Sequence, residues 1–161
     1  MKRSSIPGSP TRMWIIHFAF IAAVPIYAAM TMLVRASMAN ANQVPVFAHP
    51  LQVYGALAAI SLVELIMGFT VSVWMKTVAD QPGDSAQAYL NKRMTELVAT
   101  DAFFESIAIY GLVGIFLGGI RPWQSLSLMF MALIFLLTVI GRLRSWIDEY
   151  HQRLRLETQS V

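Results

Sequence analysis

The sequence predicts an all-α integral membrane protein, a bundle of four spanning helices with both termini cytoplasmic. Three observations lead there. Of the 161 residues 57% are hydrophobic and only 13% charged, about half the charged share of an ordinary soluble domain. Four apolar runs reach the roughly 20 residues needed to cross a ~30 Å hydrocarbon core. The basic residues, finally, gather on alternate connections between those runs. This composition excludes a disordered chain, and a net charge of +3 from 12 Lys and Arg against 9 Asp and Glu does not describe a nucleic-acid binder. Cysteine is absent, so no disulfide, thiolate metal site or thiol nucleophile is available.

The whole chain, 1–161, reads as one membrane domain. Its first span is Met13 to Val34, between Arg12 and Arg35, with Pro25 expected to kink it. Lys2 and Arg3, the apolar run and Ala39-Asn40-Ala41 have the order of a cleaved signal peptide, which would remove residues 1–41. The run is longer than the roughly 7–15 residues of such a peptide, which favours a retained helix. Ala36 to Pro50 has no charge and contains Pro45 and Pro50, so it reads as an ordered or membrane-hugging loop. The second span is Leu51 to Trp74, closed by Lys76. Gly83 to Glu96 has Asp84 or Ser85 as a cap and apolar residues at helical spacing (Ala86, Tyr89, Leu90, Met94). It should continue as a helix into the third span, Leu97 to Ile120, which Arg121-Pro122 stops. The fourth span is Trp123 to Ile140, and the tail 141–161 continues it with the stripe Leu143, Ile147, Tyr150 and Leu154. The extensions of the third and fourth spans can pack on each other or present a docking surface to a partner.

Ten of the 12 basic residues fall in the N-terminal arm, the middle loop and the C-terminal tail. Only Arg35 and Arg121 lie on the other side, so the positive-inside rule places both termini in the cytoplasm. A bacterial cytoplasmic membrane is the expected location. Trp14, Tyr54, Trp74, Trp123 and Trp146 stand near span ends, where amphipathic rings prefer to sit.

The informative residues are those that lipid should exclude. Glu64 lies about 15 Å from the cytoplasmic end of its span and Glu105 about 12 Å from that of the next, at ~1.5 Å rise per residue. Asp101 shares the Glu105 face one turn nearer the cytoplasm. An acid at mid-membrane costs at least ~2.5–3.5 kcal/mol and should face the bundle interior or a water path. Burial disfavours the charged form, so at least one glutamate should be neutral at pH 7, and two facing one cavity would share a proton. The plainer alternative is a neutral acid hydrogen-bonded between helices, to Ser61, Thr70, Thr100 or Ser106. Gly111, Gly114 and Gly118 form a small-residue stripe for close helix packing, roughly 180–240° around the helix from Glu105. His17 and His49 fall on opposite sides of the membrane, so they cannot share a metal or haem. His17 reads as an interfacial hydrogen-bonding residue.

Ala79-Asp80-Gln81-Pro82, followed by Phe104-Glu105-Ser106-Ile107-Ala108-Ile109-Tyr110-Gly111-Leu112-Val113, resembles the rotary ATP synthase proteolipid, the c subunit. That family is a helical hairpin with a polar cytoplasmic loop and an ion-binding carboxylate on its second helix. The resemblance, from Leu51 to about Gly119, implies that Glu105 is the ion-binding carboxylate and that Gln81 and Pro82 form the loop contact. Its inner helix is glycine-rich, where this second span has Gly55 and Gly68 alone and carries Glu64.

The expected function is therefore binding or relay of protons or a small cation by Glu105, Glu64 and Asp101. The competing expectation is a non-catalytic structural or assembly subunit of a larger membrane complex, or a homo-oligomer, joined through the cytoplasmic extensions. The bilayer is the expected surrounding, with no nucleic-acid partner. No nucleophile triad, phosphate loop, metal cluster or cofactor motif points to an enzyme.

Overall fold

A computed structural model describes residues 9–40, 50–79, 84–117 and 120–159. They form four helices: α1 (Pro10–Asn40), α2 (Pro50–Ala79), α3 (Ala86–Phe116) and α4 (Pro122–Gln159). All four are long and apolar enough to cross a membrane, and the described residues contain no strand.

Helix starts follow local chemistry. Three helices open on a proline, whose fixed φ suits the first helical position and whose missing N–H costs nothing there. The start of α4 is reinforced by a reciprocal cap. The amides of Gln124 and Ser125 donate to the Arg121 carbonyl, at 2.9 and 3.1 Å, while the Gln124 side-chain oxygen accepts the Arg121 N–H at 2.7 Å. The α3 helix has no proline and uses Ser85 instead, whose hydroxyl oxygen accepts the Ala88 N–H at 3.2 Å. Pro25 lies within α1, which continues through it.

With 31 residues, α3 extends about 46 Å at ~1.5 Å per residue, well beyond a ~30 Å hydrocarbon core. The 38 residues of α4 exceed the core further. The helical extensions read in the sequence are thus the first turns of α3 and the last turns of α4.

The α3 helix is the hub. It packs against each of the other three helices, whereas α1 and α2 make no contact with one another among the described residues. Its fully buried Leu90, Leu97, Phe104, Ile107 and Ala108 recur at three-, four- and seven-residue spacing, so they form one seam. Leu128, Ala132, Leu136, Val139 and Leu143 supply the matching seam on α4. Gly111 lets these two helices approach closely, because a Cβ there would stand 2.8 Å from the Ser125 carbonyl oxygen. At Gly114 a Cβ would meet Leu57 and Ile120 instead. Gly118 lies outside the described residues. A cluster of three aromatic rings, Phe69, Phe104 and Phe135, joins α2, α3 and α4, with centroids 5.5–6.0 Å apart.

The outer faces are apolar. Ile15, Leu33, Leu62, Val63, Ile66 and Val73 are all exposed on α1 and α2. A water-facing surface would carry charges at such positions, and contiguous apolar exposure on this scale marks a face made for lipid or another protein.

Gly111 and Gly141 make opposite demands. Gly111→Ala should destabilise the protein by about 1–3 kcal/mol through overpacking against backbone. Gly141→Ala, with nothing within 4 Å of its Cβ, should be neutral or stabilising by up to ~1 kcal/mol. Thermal unfolding in detergent measures both.

Candidate functional site

Each acid singled out in the sequence meets a specific partner on another helix. Asp101 is fully buried and its Oδ2 lies 2.8 Å from Nδ1 of His17, itself fully buried on α1. The Tyr27 hydroxyl donates to Oε1 of Glu105 at 2.6 Å, again between α1 and α3. The Tyr110 hydroxyl on α3 donates to Oε1 of Glu64 on α2 at 2.7 Å. The two glutamates therefore sit in different helix interfaces, each on its own phenol. Asp101 and Glu105, one helical turn apart, both reach to α1.

His17 makes a hydrogen bond, as its reading expects, and does so from a fully buried position. It is buried in the bundle, because an aspartate 84 positions later in the chain takes up its ring nitrogen. The hydroxyls considered as partners for the acids are used otherwise. Thr70 and Ser106 bond back to carbonyls of their own helices, at Ile66 and Phe103. Ser61 and Thr100 are buried with no hydrogen-bond partner among the described residues. Gln81 and Pro82, the loop contact implied by the proteolipid resemblance, lie outside the described residues.

The α1–α3 interface therefore carries an ordered polar line: His17, Asp101, Glu105, Tyr27. Two of its atoms, Nε2 of His17 and Oδ1 of Asp101, are buried without a hydrogen-bond partner among the described residues. Buried polar atoms are nearly always paired, so these two stand out. Among the described residues no three His, Cys, Asp or Glu side chains converge as a metal site would require.

A second polar cluster lies where the last turns of the second apolar run meet the first turns of α3. Glu96 is buried, with Oε1 accepting from the Ser72 hydroxyl at 2.9 Å and Oε2 from Arg93 at 2.6 Å. The Arg93 guanidinium stands over the rings of Tyr89 and Trp146, 5.1 and 5.4 Å from their centroids. Glu149 on α4 accepts the Tyr89 hydroxyl at 2.6 Å on Oε2 and Arg153 at 2.7 Å on Oε1. Burial first, and then the bond to Glu149, pushes the Tyr89 phenol up to about 12, against the opposing pull of Arg93. Burial alone would raise the Glu149 carboxyl, but the Tyr89 and Arg153 bonds and the nearby arginine charges outweigh it and hold it below the usual value. The amphipathic stripe foreseen for these extensions gave no sign that Arg93 and Glu96 lie inside it.

No protein-family model, curated protein or solved structure matches the chain.

Replacing His17 by Phe should cost about 1–3 kcal/mol, since Asp101 is left buried without its partner. His17→Phe combined with Asp101→Leu should recover most of that loss, as a double-mutant cycle of unfolding free energies in detergent would show. Stability from Glu149 is present above the ordinary carboxylate pKa and is lost as pH falls through its lower folded value. Hydrogen exchange in the first turns of α3 should therefore accelerate on acidification below pH ~4, and less so in Glu149→Gln.

Proposed function

We propose that the chain is a small integral membrane protein that binds or relays protons through the carboxyl groups on α3, with both termini in the cytoplasm of a bacterial cell. The observation that carries this reading is the buried His17–Asp101 pair, one turn from Glu105, with a ring nitrogen and a carboxylate oxygen unpaired. Imidazole and carboxyl groups exchange protons near neutral pH, and intramembrane ionisable residues facing a bundle interior are the usual elements of proton relays. In this mechanism a proton moves between Nδ1 of His17 and Oδ2 of Asp101, passes one helical turn to Glu105, and is steadied there by the Tyr27 hydroxyl. No covalent step is involved. Glu64 and Tyr110 form a separate branch on the α2 side, and a small cation is the alternative cargo at either glutamate.

A second reading, a structural or assembly subunit of a larger complex or a homo-oligomer, is favoured by the exposed Leu154 and Leu156 on the last turns of α4. There the acids would serve only to lock helices together.

In proteoliposomes with an imposed pH gradient, Glu105→Gln and Asp101→Asn should each reduce proton flux at least tenfold, while Glu64→Gln should reduce it less. Unchanged flux in folded Glu105→Gln and Asp101→Asn proteins would rule out the relay. Co-purification of a stoichiometric partner lost in a double Leu154→Ser, Leu156→Ser variant would establish the assembly role.

A further inference from the structure

The second polar cluster borders a half-open cavity of about 420 Å³, lined by Ser72, Arg93, Glu96, Arg142, Ser145 and Glu149, together with Val73 and Trp146. Its acids are satisfied. Both oxygens of Glu96 are taken by Ser72 and Arg93, and both of Glu149 by Tyr89 and Arg153. Arg142 is different. Its Nη1 donates to the Ser72 hydroxyl at 2.6 Å and its guanidinium stands 5.8 Å from the Phe69 centroid, neither of which carries a formal charge. A guanidinium offers five N–H donors, and the Ser72 bond uses one. The charged residues lining the cavity are two arginines and two glutamates, and of the arginines Arg142 is the one whose hydrogen bond goes to a neutral hydroxyl instead of a carboxylate. Ser145 lines the same cavity, three residues along α4.

The level of the cavity narrows the ligand. Ser72 is two residues before Trp74, and Arg142 two residues after the last residue of the apolar run on α4. This is the depth at which lipid phosphates meet the protein, between an aromatic-marked apolar wall and water. The cavity volume accommodates a phosphate ester with part of its glycerol. Arginine is suited to such a group because its planar fork bonds two phosphate oxygens at once.

We propose that this cavity is a phosphate-ester site in which Arg142 bonds the anion, Ser145 donates a further hydrogen bond, and Ser72 holds the guanidinium in place. The phosphate comes from a lipid headgroup or from a free phosphate. The site is separate from the α1–α3 polar line and does not depend on proton relay.

The test titrates the full-length chain in neutral detergent with short-chain phosphatidylglycerol and, separately, with inorganic phosphate, reading the midpoint of thermal unfolding. Arg142→Gln should raise the half-saturating concentration at least tenfold. Arg144→Gln, which removes an equal charge on the same helix outside the cavity, should leave it unchanged. A response to the lipid alone identifies a headgroup site; an Arg142-dependent response to inorganic phosphate identifies a free-phosphate site. Equal responses in Arg142→Gln and Arg144→Gln, or none to either probe in the unmodified protein, would overturn the proposal. Should Arg142→Gln fail to fold, Ser145→Leu, at an exposed position on the cavity wall, should weaken binding at least several-fold. Unaltered affinity in that variant would equally overturn it.

Discussion

The constraint on which the structure depends is that polar atoms buried among apolar helices must find partners on a neighbouring helix. The α3 helix satisfies it in several directions at once. Asp101 and Glu105 reach α1, Tyr110 reaches α2, and Glu96 draws in Ser72 of α2, which in turn receives Arg142 of α4. Apolar packing alone would leave long smooth helices free to slide or rotate, since dispersion contacts are non-directional. A hydrogen bond fixes both azimuth and height. The small residue Gly111 and the apolar seams then bring the backbones close.

The two kinds of contact divide the labour along the bundle axis. Along the middle of the helices the polar links are small: the pairs Tyr27–Glu105 and Tyr110–Glu64, and Thr31 with Ser125 and Met129. Around the first turns of α3, links merge into a network of aromatic rings, arginines and carboxylates in which Arg93 stands over two rings and both oxygens of Glu96 are bonded.

The helices were legible because span length and hydropathy are local properties of the chain. The start of α3 was equally legible, Ser85 being a cap of ordinary type. Pairing was not. His17 and Asp101 are 84 positions apart, and Tyr27 and Glu105 are 78 apart. Nothing local in an evenly apolar α1 shows which of its faces is inward. The acids stood out because lipid excludes charge, whereas Tyr27 and Tyr110 passed as ordinary span residues. A phenol in mid-span, away from the aromatic belts, carries a hydroxyl that needs a partner, and that was the available signal. The Arg93–Glu96 pair was hidden for the opposite reason, since charges between apolar stripe positions ordinarily face water.

The absence of contact between α1 and α2 bears on how the molecule comes into being. During synthesis α1 is made first, yet the groups that match His17, Tyr27 and Thr31 arrive only with α3 and α4. The next helix to emerge offers it no shelter. The imidazole and hydroxyls of the first helix therefore stay unmatched until α3 and α4 have been made. Its docking is the step that closes the molecule, late in time although earliest in sequence.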